Sequence, residues 1–239
     1  MTSAAANNAM RRKWKTVTVA PSSADPSRSG PALDGKLVKL PSGSELAVSS
    51  PALAQALADE WAAIAPDAPL TPADLPLTRI TGNRLDRIAP HMDGTRAALF
   101  KYGIDDALSY HSDKQPPEAL GKALKWADGQ GLRPTPTEGL MPVEQPDDYK
   151  RRLTRILESK NPDELATLGV LAPALGSLLI PLALLDGAIT PAEAISLGTA
   201  DERAQLAEWG HDDELAKRIK DNEQDVHDAL KYHQLTTRN

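Results

Sequence analysis

Two periodicities divide the chain. Near the start, "KTVTV" (Lys15 to Val19) alternates polar and β-branched side chains, the period of a half-buried strand. "LDGKLVKLP" (Leu33 to Pro41) follows, with Asp34-Gly35 as a hairpin-turn signal between two short strands. The intervening "APSSADPSRSGP" reads as a Pro/Ser/Gly loop. At Ser50-Pro51 the period lengthens. Proline at the first helical position and apolar residues at Leu53, Leu57, Trp61 and Ile64 predict a helix. From Thr71 onward the pattern is helical almost throughout: Thr71 to Ala89, Thr95 to Tyr102, Pro117 to Gln130, Asp147 to Glu158, Pro162 to Leu185, Pro191 to Trp209 and Asp212 to His233. One interruption, "GLRPTPTEGLMPVEQP" (Gly131 to Pro146), is too rich in Pro and Gly for helix and reads as an extended strap, with a short strand near Leu140. The fold class expected is α+β: a small N-terminal β-rich domain ending in a helix, residues 11–70, and a larger all-α C-terminal domain, residues 71–239.

From Leu165 to Leu185 no side chain is charged. That length of apolar chain invites a membrane reading, which requires interfacial aromatics and flanking basic residues. Here Glu164 precedes it, Asp186 follows it, neither end carries Trp or Tyr, and Pro173 and Pro181 lie inside. A helix apolar all round also suits the centre of a bundle. We therefore expect a buried core helix, kinked or broken near Pro181, and no membrane insertion.

Composition excludes several kinds of chemistry. A net charge of −6 and a pI near 5.4 give the molecule no electrostatic reason to seek nucleic acid, although the first twenty residues carry four basic side chains and no acidic one. No apolar run follows that basic cluster, so it does not read as a signal peptide, and a cytoplasmic location is expected. With no cysteine there are no disulfides, thiolate zinc sites or cysteine nucleophiles. None of the five histidines forms an H-x-x-x-H pair, and consecutive residues in "HDDE" (His211 to Glu214) fan around a helix; Asp212 and Asp213 suit an N-terminal cap. "DDALSYHSD" places Asp, Ser and His near one another in sequence, which is not the geometry of a triad, and its residues read as helix ends. "RRLTR" (Arg151 to Arg155) reads as a solvated basic face. No nucleotide motif, metal site or cofactor site is visible, and no reaction.

Several phrases, in their order, resemble a known family: the assembly chaperone that binds the α subunit of the F₁ sector of ATP synthase. They are "KWKTVTV" (Lys13 to Val19), "LDGKLVKLP", "ALADEWAAI" (Ala56 to Ile64), "LPLTRITGNRLDRI" (Leu75 to Ile88), "LSYH" (Leu108 to His111), "ALKWA" (Ala123 to Ala127), "GLMPVEQP" (Gly139 to Pro146), "LGSLLIPLALLDG" (Leu175 to Gly187) and "AEWGHDDELAKR" (Ala207 to Arg218). The resemblance implies a small β-containing domain before a helical one, no enzymatic activity, no cofactor, and the unassembled α subunit as partner, held until it pairs with the β subunit. The class set against it is an uncharacterised soluble hydrolase, for which the chain shows no local motif. Trp61, beside Glu60, matches the family's tryptophan on its long helix; its place on the stripe with Leu57 gives both residues a structural role first. Glu202, with Asp201 beside it, matches the family's acidic patch before Trp209-Gly210. A holding chaperone must cover an apolar surface reversibly, which needs an apolar or aromatic patch with a polar rim. The candidates are Leu140 and Met141 on the strap, Trp209, and the helix that carries Glu202.

Overall fold

The β-branched alternation at the start forms β1 (Val17–Pro21), which pairs with β2 (Ser29–Leu33), and β2 with β3 (Lys36–Leu37), in an antiparallel sheet of order β1-β2-β3. The computed structural model describes residues 11–67, 69–110, 114–137, 143–210 and 212–237. Asp34 and Gly35 turn the β2–β3 hairpin with φ of 47° and 80°, the positive values that a two-residue turn matching the strand twist requires. The Asp34 carboxylate accepts from the Lys15 and Thr16 N–H groups at 3.0 and 2.9 Å, which ties the turn to the entry of β1. β2 starts inside the segment expected to be loop. Its glycine is a packing requirement: a Cβ on Gly30 would lie 1.8 Å from the Leu46 carbonyl oxygen. Ser29 and Val48 exchange backbone hydrogen bonds of 2.9 Å alongside.

α1 (Pro51–Ala63) begins where expected, with the Ser50 hydroxyl accepting from the Leu53 N–H and proline at N1. It packs on β1 and β2. Its buried stripe is Leu53, Ala54, Leu57, Ala58 and Trp61. Trp61, Ile64 and Leu75 form a core cluster, against which Trp14, Val17, Leu33, Val38 and Leu70 pack half-buried. The helix expected from Thr71 to Ala89 is in fact three pieces. A 3₁₀ turn at Pro72–Asp74 leads to α2 (Pro76–Asn83), which widens into a π-helical turn at Arg84–Ile88. Asp86, inside the wide turn, accepts from the Ser42 and Ser44 hydroxyls at 2.7 and 3.0 Å. This first compact unit runs to Pro90 and takes in the chain from Lys231 onward; the second runs from His91 to Leu230.

The second unit contains α3 (Met92–Ile104), α4 (Pro117–Gly129), α5 (Asp147–Glu158), α6 (Pro162–Leu175), α7 (Leu179–Leu185), α8 (Pro191–Gly198), α9 (Ala200–Trp209) and most of α10 (Asp213–Thr237). Capping boxes open two of them, Asn161 with Glu164 for α6 and Thr190 with Glu193 for α8. Asp212 caps α10, its carboxylate accepting from the Glu214 and Leu215 N–H groups at 3.0 Å each. α3 packs on α5 and α6, and α7 on α4, α6 and α8. The apolar stretch is the centre of this bundle: Leu165, Leu168, Leu171, Leu178, Leu179 and Ile180 are all fully buried. No helix among the described residues is long and apolar enough to cross a membrane.

The stretch breaks at Gly176, five residues before the expected Pro181. Gly176 turns left-handed (φ 59°, ψ 23°) and ends α6, whereas Pro181 sits in the first turn of α7, where no intrahelical N–H bond is required of it. A turn inside an apolar core strands the first N–H groups of the next helix. Asp106 supplies their acceptor. One carboxylate oxygen accepts from the Leu178 and Leu179 N–H groups at 2.8 and 2.9 Å; the other accepts from the Ser177 hydroxyl at 2.6 Å and the Leu108 N–H at 3.0 Å. Asp106 is wholly buried, and that burial pushes its carboxyl above the ordinary value, against the pull of the four donors. Around it, Tyr149 donates to the Gly103 carbonyl at 2.6 Å, and Gln145 links Thr135 N–H at 2.8 Å to the Ser109 hydroxyl at 3.3 Å.

Two predictions come from these contacts. Asp106→Ala removes the acceptor and leaves buried donors unpaired, at about 1–3 kcal/mol per orphan, less the relief of burying the carboxyl; denaturant titration should show a net loss of about 3 kcal/mol. Glu193 accepts from Lys122 at 2.7 Å, and this bond, with those from Thr190, lowers its carboxyl to about 2. A carboxylate with a depressed folded pKa stabilises above its ordinary value of 4.5 and loses that contribution as pH falls toward about 2. Acid titrations of stability should therefore fall less steeply across that window in Glu193→Gln than in the unaltered protein.

Candidate functional site

The helix expected from Pro191 to Trp209 is two helices. Thr199, at φ −116° and ψ 13°, separates α8 from α9, and its hydroxyl donates back to the Ile195 carbonyl at 2.7 Å. The reason lies in the packing of Gly198, where a Cβ would stand 2.8 Å from the Leu175 Cα, so α8 is pressed against α6 and the chain must turn away. α9 then runs out over the surface of its unit. Ala200, its first residue, is buried, while Glu202, Ala204 and Leu206 are half-buried and Asp201 is exposed. Asp201 and Glu202 occupy the first turn, where the partial positive charge of the helix N-terminus favours carboxylates.

Glu202 is paired. The Arg218 guanidinium on α10 approaches it to 3.8 Å, and Arg203, on the next position of α9, makes a close ion pair with Glu223 one turn and a half further along α10. Neither Arg218 nor Glu223 was marked by the sequence, because residues so far apart along the chain share no local pattern. Leu140 and Met141 lie outside the described residues, as do the strand expected near Leu140 and the side chain of Trp209; the backbone of Trp209 closes α9.

Glu60 and Trp61 meet in the first unit. The Glu60 carboxylate accepts from the Leu77 and Thr78 N–H groups at 2.6 and 2.9 Å and from the Thr78 hydroxyl at 3.0 Å. It thus caps α2 from α1, in place of Leu75, whose side chain has no acceptor. Burial raises the Glu60 carboxyl, and these hydrogen bonds oppose the shift. The Trp61 indole N–H donates to the same Thr78 hydroxyl at 3.1 Å, and its ring meets Trp14 edge to face with centroids 5.2 Å apart.

The remaining sequence candidates resolve into structural roles or fall outside the described residues. In "DDALSYHSD", Asp106 is committed to the start of α7, and His111 is outside the described residues. Among the described residues no group of three or more His, Asp or Glu side chains is placed to hold a metal ion. The buried network of Asp106, Ser177 and Gln145 went unread in the sequence; the one signal for it was the Asp105-Asp106 pair just past the end of a helical pattern.

Residues 11–127 match the family model described as ATP12 chaperone protein. The crystal structure of Atp12 from Paracoccus denitrificans is similar over 95% of this chain and 98% of that one, at 29% identity and a TM-score of 0.78. A point mutant of the same Paracoccus protein, an Asp replaced by Lys, is similar over 95% of this chain and 97% of that one, at 28% identity and a TM-score of 0.79. The Atu1473 protein of Agrobacterium tumefaciens is similar over 95% of this chain and 86% of that one, at 28% identity and a TM-score of 0.81. With the family model over its first half and the same fold along its whole length, the chain belongs to the ATP12 chaperone family, whose members are assembly chaperones for ATP synthase and not enzymes.

Proposed function

We propose that this chain binds the unassembled α subunit of the catalytic sector of ATP synthase in the cytoplasm, keeps it from aggregating, and releases it when the β subunit arrives. The observation that carries the reading is the likeness to Paracoccus Atp12 over 95% of the chain, both units included. The net charge of −6 disfavours nucleic acid as a partner. On this reading Glu202 and Asp201 on α9, with Trp209, Leu140 and Met141, contribute to binding the α subunit. Glu60 and Trp61 hold the first unit together.

Co-expression with the α subunit of the same organism, followed by size-exclusion chromatography, tests the reading. The α subunit should stay soluble, co-elute with this chain, and leave it when β subunit is added; aggregation of the α subunit with no complex would refute the proposal. Glu202→Lys should weaken the complex roughly fivefold or more, since it replaces an attraction at the rim by a repulsion, while the lost Arg218 pair and helix-end charge lower stability by no more than about 1 kcal/mol. Glu60→Ala should do the reverse, lowering stability by about 1–2 kcal/mol through loss of the α2 cap while the folded protein binds normally.

A further inference from the structure

The way α9 is attached to its unit sets it apart from the other helices. α7 is buried over nearly its whole length, but α9 buries only Ala200 among its described side chains. Two ion pairs with α10 take the place of an apolar seam: Arg203 with Glu223, and Glu202 with Arg218. The second is loose. At 3.8 Å it is beyond hydrogen-bonding distance, and the Arg218 side chain is 61% exposed against 31% for Glu202. Arg218 can therefore turn into water at small cost, because exposed pairs of this kind contribute little and are screened by salt. A second cation brought to Glu202 meets the like charge of Arg218, so the two compete for the one carboxylate.

We propose that Glu202 exchanges Arg218 for a basic side chain of the client, so that client binding competes with the α9–α10 ion pair and Arg218 acts as an internal stand-in for the client. This rests on the reading that α9 faces the α subunit. The partner chemistry it names is a surface Arg or Lys on the client, with Arg favoured because its planar fork can take both carboxylate oxygens. Its sign is unusual for an interface residue: removing Arg218 should tighten binding. An arginine that merely props up α9 would give the opposite result.

The test is titration of the α subunit against the full-length chain carrying Arg218→Gln, Arg218→Lys or Lys220→Gln. Lys220 is an exposed cation on the same helix, so its variant removes one charge from the same neighbourhood without touching Glu202. Arg218→Gln should bind roughly twofold to fivefold tighter, the range a released surface ion pair allows. Arg218→Lys should return toward the unaltered affinity, and Lys220→Gln should match it. Unchanged or weaker binding by Arg218→Gln overturns the inference alone, as does equal tightening by Lys220→Gln, which would mark a general charge effect. Absence of binding by every form, the unaltered chain included, overturns the reading on which it rests and the inference with it.

Discussion

A turn buried in hydrocarbon must find partners for the backbone groups it exposes, and in this protein that requirement falls on one side chain. The chain from Leu165 to Leu185 is too apolar to lie anywhere but inside, and too long to cross a small bundle as one rod. It reverses at Gly176. The N–H groups of Leu178 and Leu179 then point into the core with no helical partner, and Asp106, some seventy residues earlier in the chain, accepts both. The other contacts of the unit depend on that join. α7 reaches α4 and α8 only because it leaves α6 at this angle, and α8 presses on Leu175 through Gly198 just before the chain turns out into α9.

Much of this was legible in the sequence where the signal is local. The Asp34-Gly35 turn, the Ser50-Pro51 helix start, the bounds of α5 and the Asp212 cap all rest on residues within four positions of one another. The α+β class and the burial of the apolar stretch rest on period and charge, which are also local. The misplaced features share a different cause. The break was expected at Pro181 because proline costs most in a helix interior, but proline is tolerated in a first turn, and the position of that turn was set by Gly176 and by an acceptor distant in sequence. The Pro/Ser/Gly run before Leu33 reads as loop by composition, yet Gly30 is there to let the Leu46 backbone approach. Thr199 divides a helix for a reason that lies on α6.

The candidate site shows the same limit. The family resemblance led to Glu202 and Asp201, and the structure puts them in the first turn of a helix that its unit holds lightly. Arg218 and Glu223, which do the holding, could not be read from a sequence in which they sit on another element. A chaperone that holds its client for a time and then gives it up has use for such a division. The core supplies a fixed frame, and a helix held by screened charges can change partners without disturbing it.

Native-state hydrogen exchange, followed residue by residue in the second unit, tests this account most directly. If Asp106 closes a rigid core and α9 is held to it mainly by ion pairs, the Leu178 and Leu179 amides should exchange only with global unfolding. The amides in the middle of α9 should then exchange orders of magnitude faster through local opening. Exchange of Leu178 and Leu179 at rates like those of α9, or protection of α9 equal to that of α7, would contradict it.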